Sequence, residues 1–278
     1  MTKSSEIRLL RRVKVNLLGT LLLAAAALPG AASAAGDWDV LKMTTAPDYA
    51  RRHIIMARMF PGFEDTAAGD KRGFSIQPAE ETWLIRRPNH PPPAKGYRLL
   101  VWIDPGERSR PPEKWAPVLD DFDMVVVMAL DSGNRHSVSG RRAPLALAGL
   151  AGAVSTLPID PGQVYVGGFS GGSKTAQMLG FAYPDVFRGV LLSGGFLRPD
   201  SKLIYWPPEP LMPRLRQQRY FMASGAEDPF ARADFSATRQ AMEDKGLQFI
   251  GSQLLPGKGH RRMWASEFEK ALAYLVAE

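Results

Sequence analysis

The sequence predicts an α/β domain with a mostly parallel central sheet flanked by helices. From Thr82 to the C-terminus, short apolar runs alternate with stretches of helical period. The inner runs are nearly continuous in Val, Ile, Leu and Met, as expected of strands buried on both faces. At 278 residues the chain is long enough for a large core, and with no cysteine its stability must come from packing.

Residues 1–35 stand apart from that domain. Lys3, Arg8, Arg11, Arg12 and Lys14 run into "LLGTLLLAAAALPG" and then "AASAAG", the layout of a secretory signal cut after Ala34 or Ala35. The apolar block is short and ends at Pro29 and Gly30, a poor membrane span. An exported protein, periplasmic or secreted, with no stable anchor is expected, and an uncleaved anchor is the alternative. Residues 36–278 then form a single domain whose first part, 36–80, is an irregular lead-in. Within it "DYARRHIIMARMF" has the spacing of a helix and "GDKRG" that of a turn.

Strand-like runs follow at Thr82–Arg86, Tyr97–Ile103, Met124–Leu130, Gln163–Gly167, Gly189–Leu192, Arg219–Ala223 and Gln248–Leu255. Helical patterns lie between the later ones: "APLALAGLAGAVSTL", "SKTAQMLGFAY", "ARADFSATRQAMEDKG" and "MWASEFEKALAYLVAE". Two Pro-rich breaks interrupt the text, "RRPNHPPPAKG" and a second at 196–217 that has the position of a lid or pocket loop.

Charge narrows the partners. Residues 1–35 hold five Lys/Arg against Glu6, so removing their +4 from the whole-chain +7 leaves +3. A balance this small, with no long basic run, argues against nucleic acid. "GERSR" and "GRRAP" read as solvated loops. His53, His90, His136 and His260 are scattered without zinc-like spacing, so neither a metal nor another cofactor is expected.

The chemistry-bearing stretch is "VYVGGFSGGSKTAQMLGF". A strand ends, Ser170 sits on the turn and a helix begins, so that Gly168-Phe169-Ser170-Gly171-Gly172 matches G-x-S-x-G. Such a turn lifts the hydroxyl above the sheet, and small residues two positions either side let neighbouring chains pass. At the start of the helix the Gly171 N–H is free to meet a developing oxyanion. A phosphate-binding or merely close-packed turn has the same appearance.

A serine hydroxyl needs a histidine to take its proton, and the histidine needs a carboxylate to fix its tautomer. Following strand ends forward, Asp228 in "SGAEDPF" comes after the second strand beyond the serine's own, and His260 in "PGKGH" after the third. His260 is the only histidine after Ser170. Asp228 is preferred to its neighbours Glu227 and Asp234 by its place on the turn; a helix-capping role is its alternative.

In this order, "GGFSGGS", "SGAEDP" and "PGKGH" resemble the α/β-hydrolase superfamily, and within it the exported polyhydroxybutyrate depolymerases, feruloyl esterases and LpqC-like esterases. The resemblance runs from about Thr82 to the C-terminus. It implies an α/β-hydrolase fold and a Ser170-Asp228-His260 hydrolase working through an acyl-enzyme.

One departure stands out. Those enzymes carry His-Gly after an early strand to supply the second oxyanion N–H, and this chain has "WIDPGER". Asp104 replaces the histidine and Pro105 has no N–H, so the donor is expected from Gly106 or Glu107, with Asp104 turned away or capping the turn. In the second Pro-rich loop Phe196, Tyr205 and Trp206 are the expected substrate-binding residues, with plain packing of the loop as the alternative. The function expected is an exported esterase acting on a small or polymeric ester. A serine aminopeptidase or peptidase, and a non-catalytic binding protein on the same scaffold, are the competing readings.

Overall fold

The computed structural model describes residues 37–60, 76–198 and 205–278. The signal reading at 1–35 and the "GDKRG" turn lie outside them.

Eight strands form one sheet: β1 Trp38–Leu41, β2 Trp83–Arg86, β3 Tyr97–Ile103, β4 Met124–Ala129, β5 Ile159–Phe169, β6 Gly189–Ser193, β7 Arg219–Gly225 and β8 Phe249–Leu255. Their spatial order is β1-β2-β4-β3-β5-β6-β7-β8. β1 and β2 run antiparallel, as do β2 and β4, while every other neighbouring pair is parallel. The helices are α1 Arg52–Met59, α2 Ala116–Asp121, α3 Ala143–Thr156, α4 Gly171–Ala182, α5 Met212–Gln217, α6 Arg232–Asp244 and α7 Ala265–Val276.

Side chains leave a strand alternately on its two faces, and here both faces are covered. Leu99, Val101 and Ile103 of β3 join Val125 and Val127 of β4 in a core roofed by α1, α3, α4 and α6. Leu100 and Trp102 join Val126 and Met128 in a second core under α2 and α7. Trp115, just ahead of α2, stacks on Phe268 of α7 at 3.9 Å and meets Trp102 edge-on at 5.1 Å. Its indole N–H donates to Met263 O at 3.0 Å, fixing the chain just after His260.

β3, β5, β6, β7 and β8 run the same way, so their carboxyl ends share one rim of the sheet. The turns leaving that rim carry Asp104, Ser170, Gly194, Asp228 and His260. A crevice outside the carboxyl ends of parallel strands is where open α/β sheets bind ligands.

Candidate active site

Ser170 joins β5 to α4 with φ 54° and ψ −120°, a backbone that side-chain-bearing residues rarely adopt. Close approach keeps it there. A Cβ on Gly168 would lie 2.4 Å from the Gly172 carbonyl carbon, and one on Gly172 only 2.0 Å from Ile103 O. Only glycine at both positions allows β5, α4 and the end of β3 to meet this tightly. Ser170 N–H donates to Ser193 O at 2.8 Å, tying the turn to β6.

The serine faces a histidine and a carboxylate in one line. His260 Nε2 lies 2.9 Å from Ser170 Oγ, and His260 Nδ1 lies 2.7 Å from Asp228 Oδ2. Asp228 is 1% exposed, and its other oxygen accepts the Phe230 N–H at 2.8 Å. A carboxylate held on both oxygens is fixed in orientation, which selects the imidazole tautomer with its proton on Nδ1 and leaves Nε2 able to accept the serine proton. Two rings flank the imidazole, Phe169 at 4.8 Å and Phe230 edge-on at 5.2 Å. Glu227, the sequence alternative to Asp228, lines with it a cleft of about 390 Å³ that includes neither Ser170 nor His260. The other alternative, Asp234, pairs with Arg198.

Comparison with known proteins adds the architecture. Similar solved structures include an S-formylglutathione hydrolase from Staphylococcus aureus (11% identity, TM-score 0.54, 71% of this chain and 93% of that one). An acetyl xylan esterase from Aspergillus awamori is similar over 71% of this chain and 95% of its own (15% identity, TM-score 0.51). A candidate dipeptidyl aminopeptidase IV from Bacteroides ovatus matches 73% of this chain (13% identity, TM-score 0.52), which spans only 34% of its length. The fold is that of the α/β-hydrolases. No protein-family model matches the chain, and no curated protein matches it in sequence.

The loop after β3, where the sequence places the expected second oxyanion N–H, is held by other contacts. Asp104, 2% exposed, receives both terminal contacts of Arg262 Nη2, at 2.7 and 2.8 Å, and Nε at 3.2 Å. Asp104 Oδ1 also accepts the Gly106 N–H at 3.1 Å. The carboxylate thus caps its own turn and is neutralised by a cation from the histidine loop. The Gly106 N–H, one of the two expected oxyanion donors, is thus directed at Asp104. Glu107 faces the loop after β4, where Gly133 N–H donates to it at 2.9 Å and Arg135 and His136 pair with it. Burial alone would raise the Glu107 carboxyl; the Gly133 N–H with His136 and Arg135 outweighs it and holds the carboxyl below its ordinary range.

The reading of "GRRAP" as a solvated loop is corrected. A π-helical turn, Val138–Arg142, leads into α3 and directs Arg142 inward, 3% exposed. Its guanidinium donates to Ser132 O at 2.8 Å, Gly171 O at 3.1 Å and Asp104 O at 3.2 Å. One buried cation therefore binds together the loop after β4, the Ser170 turn and the loop after β3. Burial lowers its pKa to about 10, against the pull of Glu107 and Asp104. Arg141 meanwhile makes a two-pronged pair with Glu81 at 2.7 and 2.8 Å.

The three aromatics expected at the substrate each pack against another ring or cation of the domain. Phe196 is 1% exposed and packs edge-on against Phe235 of α6, too enclosed to wall an open pocket. Tyr205 meets Phe60 at 4.7 Å, and Trp206 stacks on Phe181 of α4 with Lys245 above it. The loop is held to the domain by its rings, as the packing alternative has it. The ring that does stand at the histidine, Phe230, is 71% exposed and went unread, although it directly follows "EDP". Among the described residues, no group of His, Asp and Glu could hold a metal ion.

Proposed function

We propose that the protein is an exported serine hydrolase cleaving carboxylic esters through an acyl-enzyme. The observation that carries this reading is the Asp228–His260–Ser170 line ending on a strained turn at the rim of the sheet. Ser170 Oγ attacks the ester carbonyl while His260 Nε2 takes its proton, and Asp228 stabilises the imidazolium. As the tetrahedral intermediate collapses, His260 returns the proton to the leaving alkoxide, freeing the alcohol. Water, deprotonated by His260, then attacks the acyl carbon, and as the bond to Ser170 Oγ breaks His260 returns the proton to that oxygen, releasing the acid. The reaction so written uses no cofactor. Esters are favoured because two of the similar folds are named as an acetyl xylan esterase and an S-formylglutathione hydrolase. Similarity to the candidate dipeptidyl aminopeptidase keeps peptide bonds as a second reading. Export rests on the basic and apolar layout of residues 1–35.

A fluorophosphonate probe is expected to label the purified protein at Ser170, located by mass spectrometry, with the label lost in Ser170→Ala. Labelling that survives the substitution removes the assignment. Turnover of p-nitrophenyl acetate without turnover of alanine p-nitroanilide supports the esterase, the reverse supports the peptidase, and neither, in folded protein, supports a binding scaffold.

A further inference from the structure

Attack by Ser170 moves the carbonyl π pair onto oxygen, and that oxyanion needs two hydrogen-bond donors of fixed position. The Gly171 N–H is one. In the loop after β3, Pro105 has no N–H, Gly106 N–H is held by Asp104 at 3.1 Å, and the Glu107 side chain is drawn toward the loop after β4 by Gly133 N–H at 2.9 Å. The loop after β4 reaches the same place. Asn134 N–H donates to Pro105 O at 2.9 Å, and the neighbouring Ser132 carbonyl is held by the Arg142 guanidinium that also grips Gly171 O. Anchored in this way, the Asn134 carboxamide lies directly against Gly171. A Cβ built on Gly171 would stand 2.0 Å from its Oδ1 and 2.8 Å from its Nδ2. Asn134 is an exposed residue, and its carboxamide makes no hydrogen bond to any described residue.

We infer that the Asn134 side-chain amide is the second oxyanion donor, replacing the backbone N–H that the Asp104-Pro105 turn removes. This rests on the serine-hydrolase reading. The oxygen receives two hydrogen bonds and no proton, so the proton inventory of the reaction is unchanged. The inference also accounts for glycine at position 171, because any side chain there would displace the amide.

The test compares wild type, Asn134→Ala and Asn134→Asp. The second variant keeps the shape of the side chain and, ionised, has nothing to donate. Both are expected to lower kcat for p-nitrophenyl acetate by about 10²–10³-fold. KM should stay within about threefold, as for an interaction made only in the transition state. Affinity for an alkyl trifluoromethyl ketone, whose adduct with Ser170 places an oxyanion at the same point, should fall in proportion, with the thermal midpoint unchanged. An active wild type whose two variants keep its kcat and ketone affinity overturns the inference and leaves the serine-hydrolase reading intact. A folded wild type that neither turns over esters nor takes the fluorophosphonate label overturns both.

Discussion

The two halves of the site rim are built by different physics. Around Ser170 the structure is local: β5, the turn and α4 are consecutive in sequence, and the contacts that hold the turn are backbone against backbone at Gly168 and Gly172. Around Asp104 it is remote. That turn is held by Arg262, 158 residues away, and its neighbouring loops are joined through the buried guanidinium of Arg142. The Ser170 side is thus sensitive to volume, and the Asp104 side to charge.

Substitutions on the two sides separate these cases. The largest effect is expected from Arg262→Ala, which leaves the Asp104 carboxylate buried without its cation. Breaking a buried pair in this way costs about 3–5 kcal/mol, read from denaturant unfolding. Adding Asp104→Asn should restore much of that loss; a double variant no more stable than the single one would show that the pair is not what holds the turn. Gly172→Ala is expected to cost less, about 1–3 kcal/mol of overpacking against Ile103 O, with no recovery from any change of charge.

The smallest effect is the pH dependence of the Asp104 side. Glu107 has a folded pKa below its unfolded value, so its contribution is present in full above about pH 4.3 and is lost as pH falls through the folded value. Unfolding measured from pH 6 to pH 3 should show less acid destabilisation in Glu107→Gln than in wild type. An equal acid response would remove Glu107 from the account.

The same contrast decides what was legible in the sequence. Inner strands such as β3 and β4 are nearly continuous apolar runs, and from β2 onward the strands are placed within a few residues. β5 starts earlier than read, at Ile159, because Pro161 and Gly162 look like a turn although Ile159 pairs with Tyr97. β1 was missed: "WDVL" is four residues long and becomes a strand only by pairing with β2 across the lead-in. Ser170, Asp228 and His260 could be named because their positions follow from strand order and chain direction. Arg142, Arg262 and Asn134 could not, since each acts through a side chain reaching a loop distant in sequence. The ring contacts of Phe196, Tyr205 and Trp206 were not legible, because a ring that packs a loop and a ring that walls a pocket look alike in sequence.

Asp228 carries a further consequence through its two oxygens. One holds the imidazole and the other holds the N–H of Phe230, whose exposed ring stands beside that imidazole. In the proposed reaction, proton traffic and the seat of an exposed aromatic ring are therefore inherited together. A change of acid that retunes the first also shifts the second, whereas a change at residue 230 alters the ring and leaves the carboxylate in place.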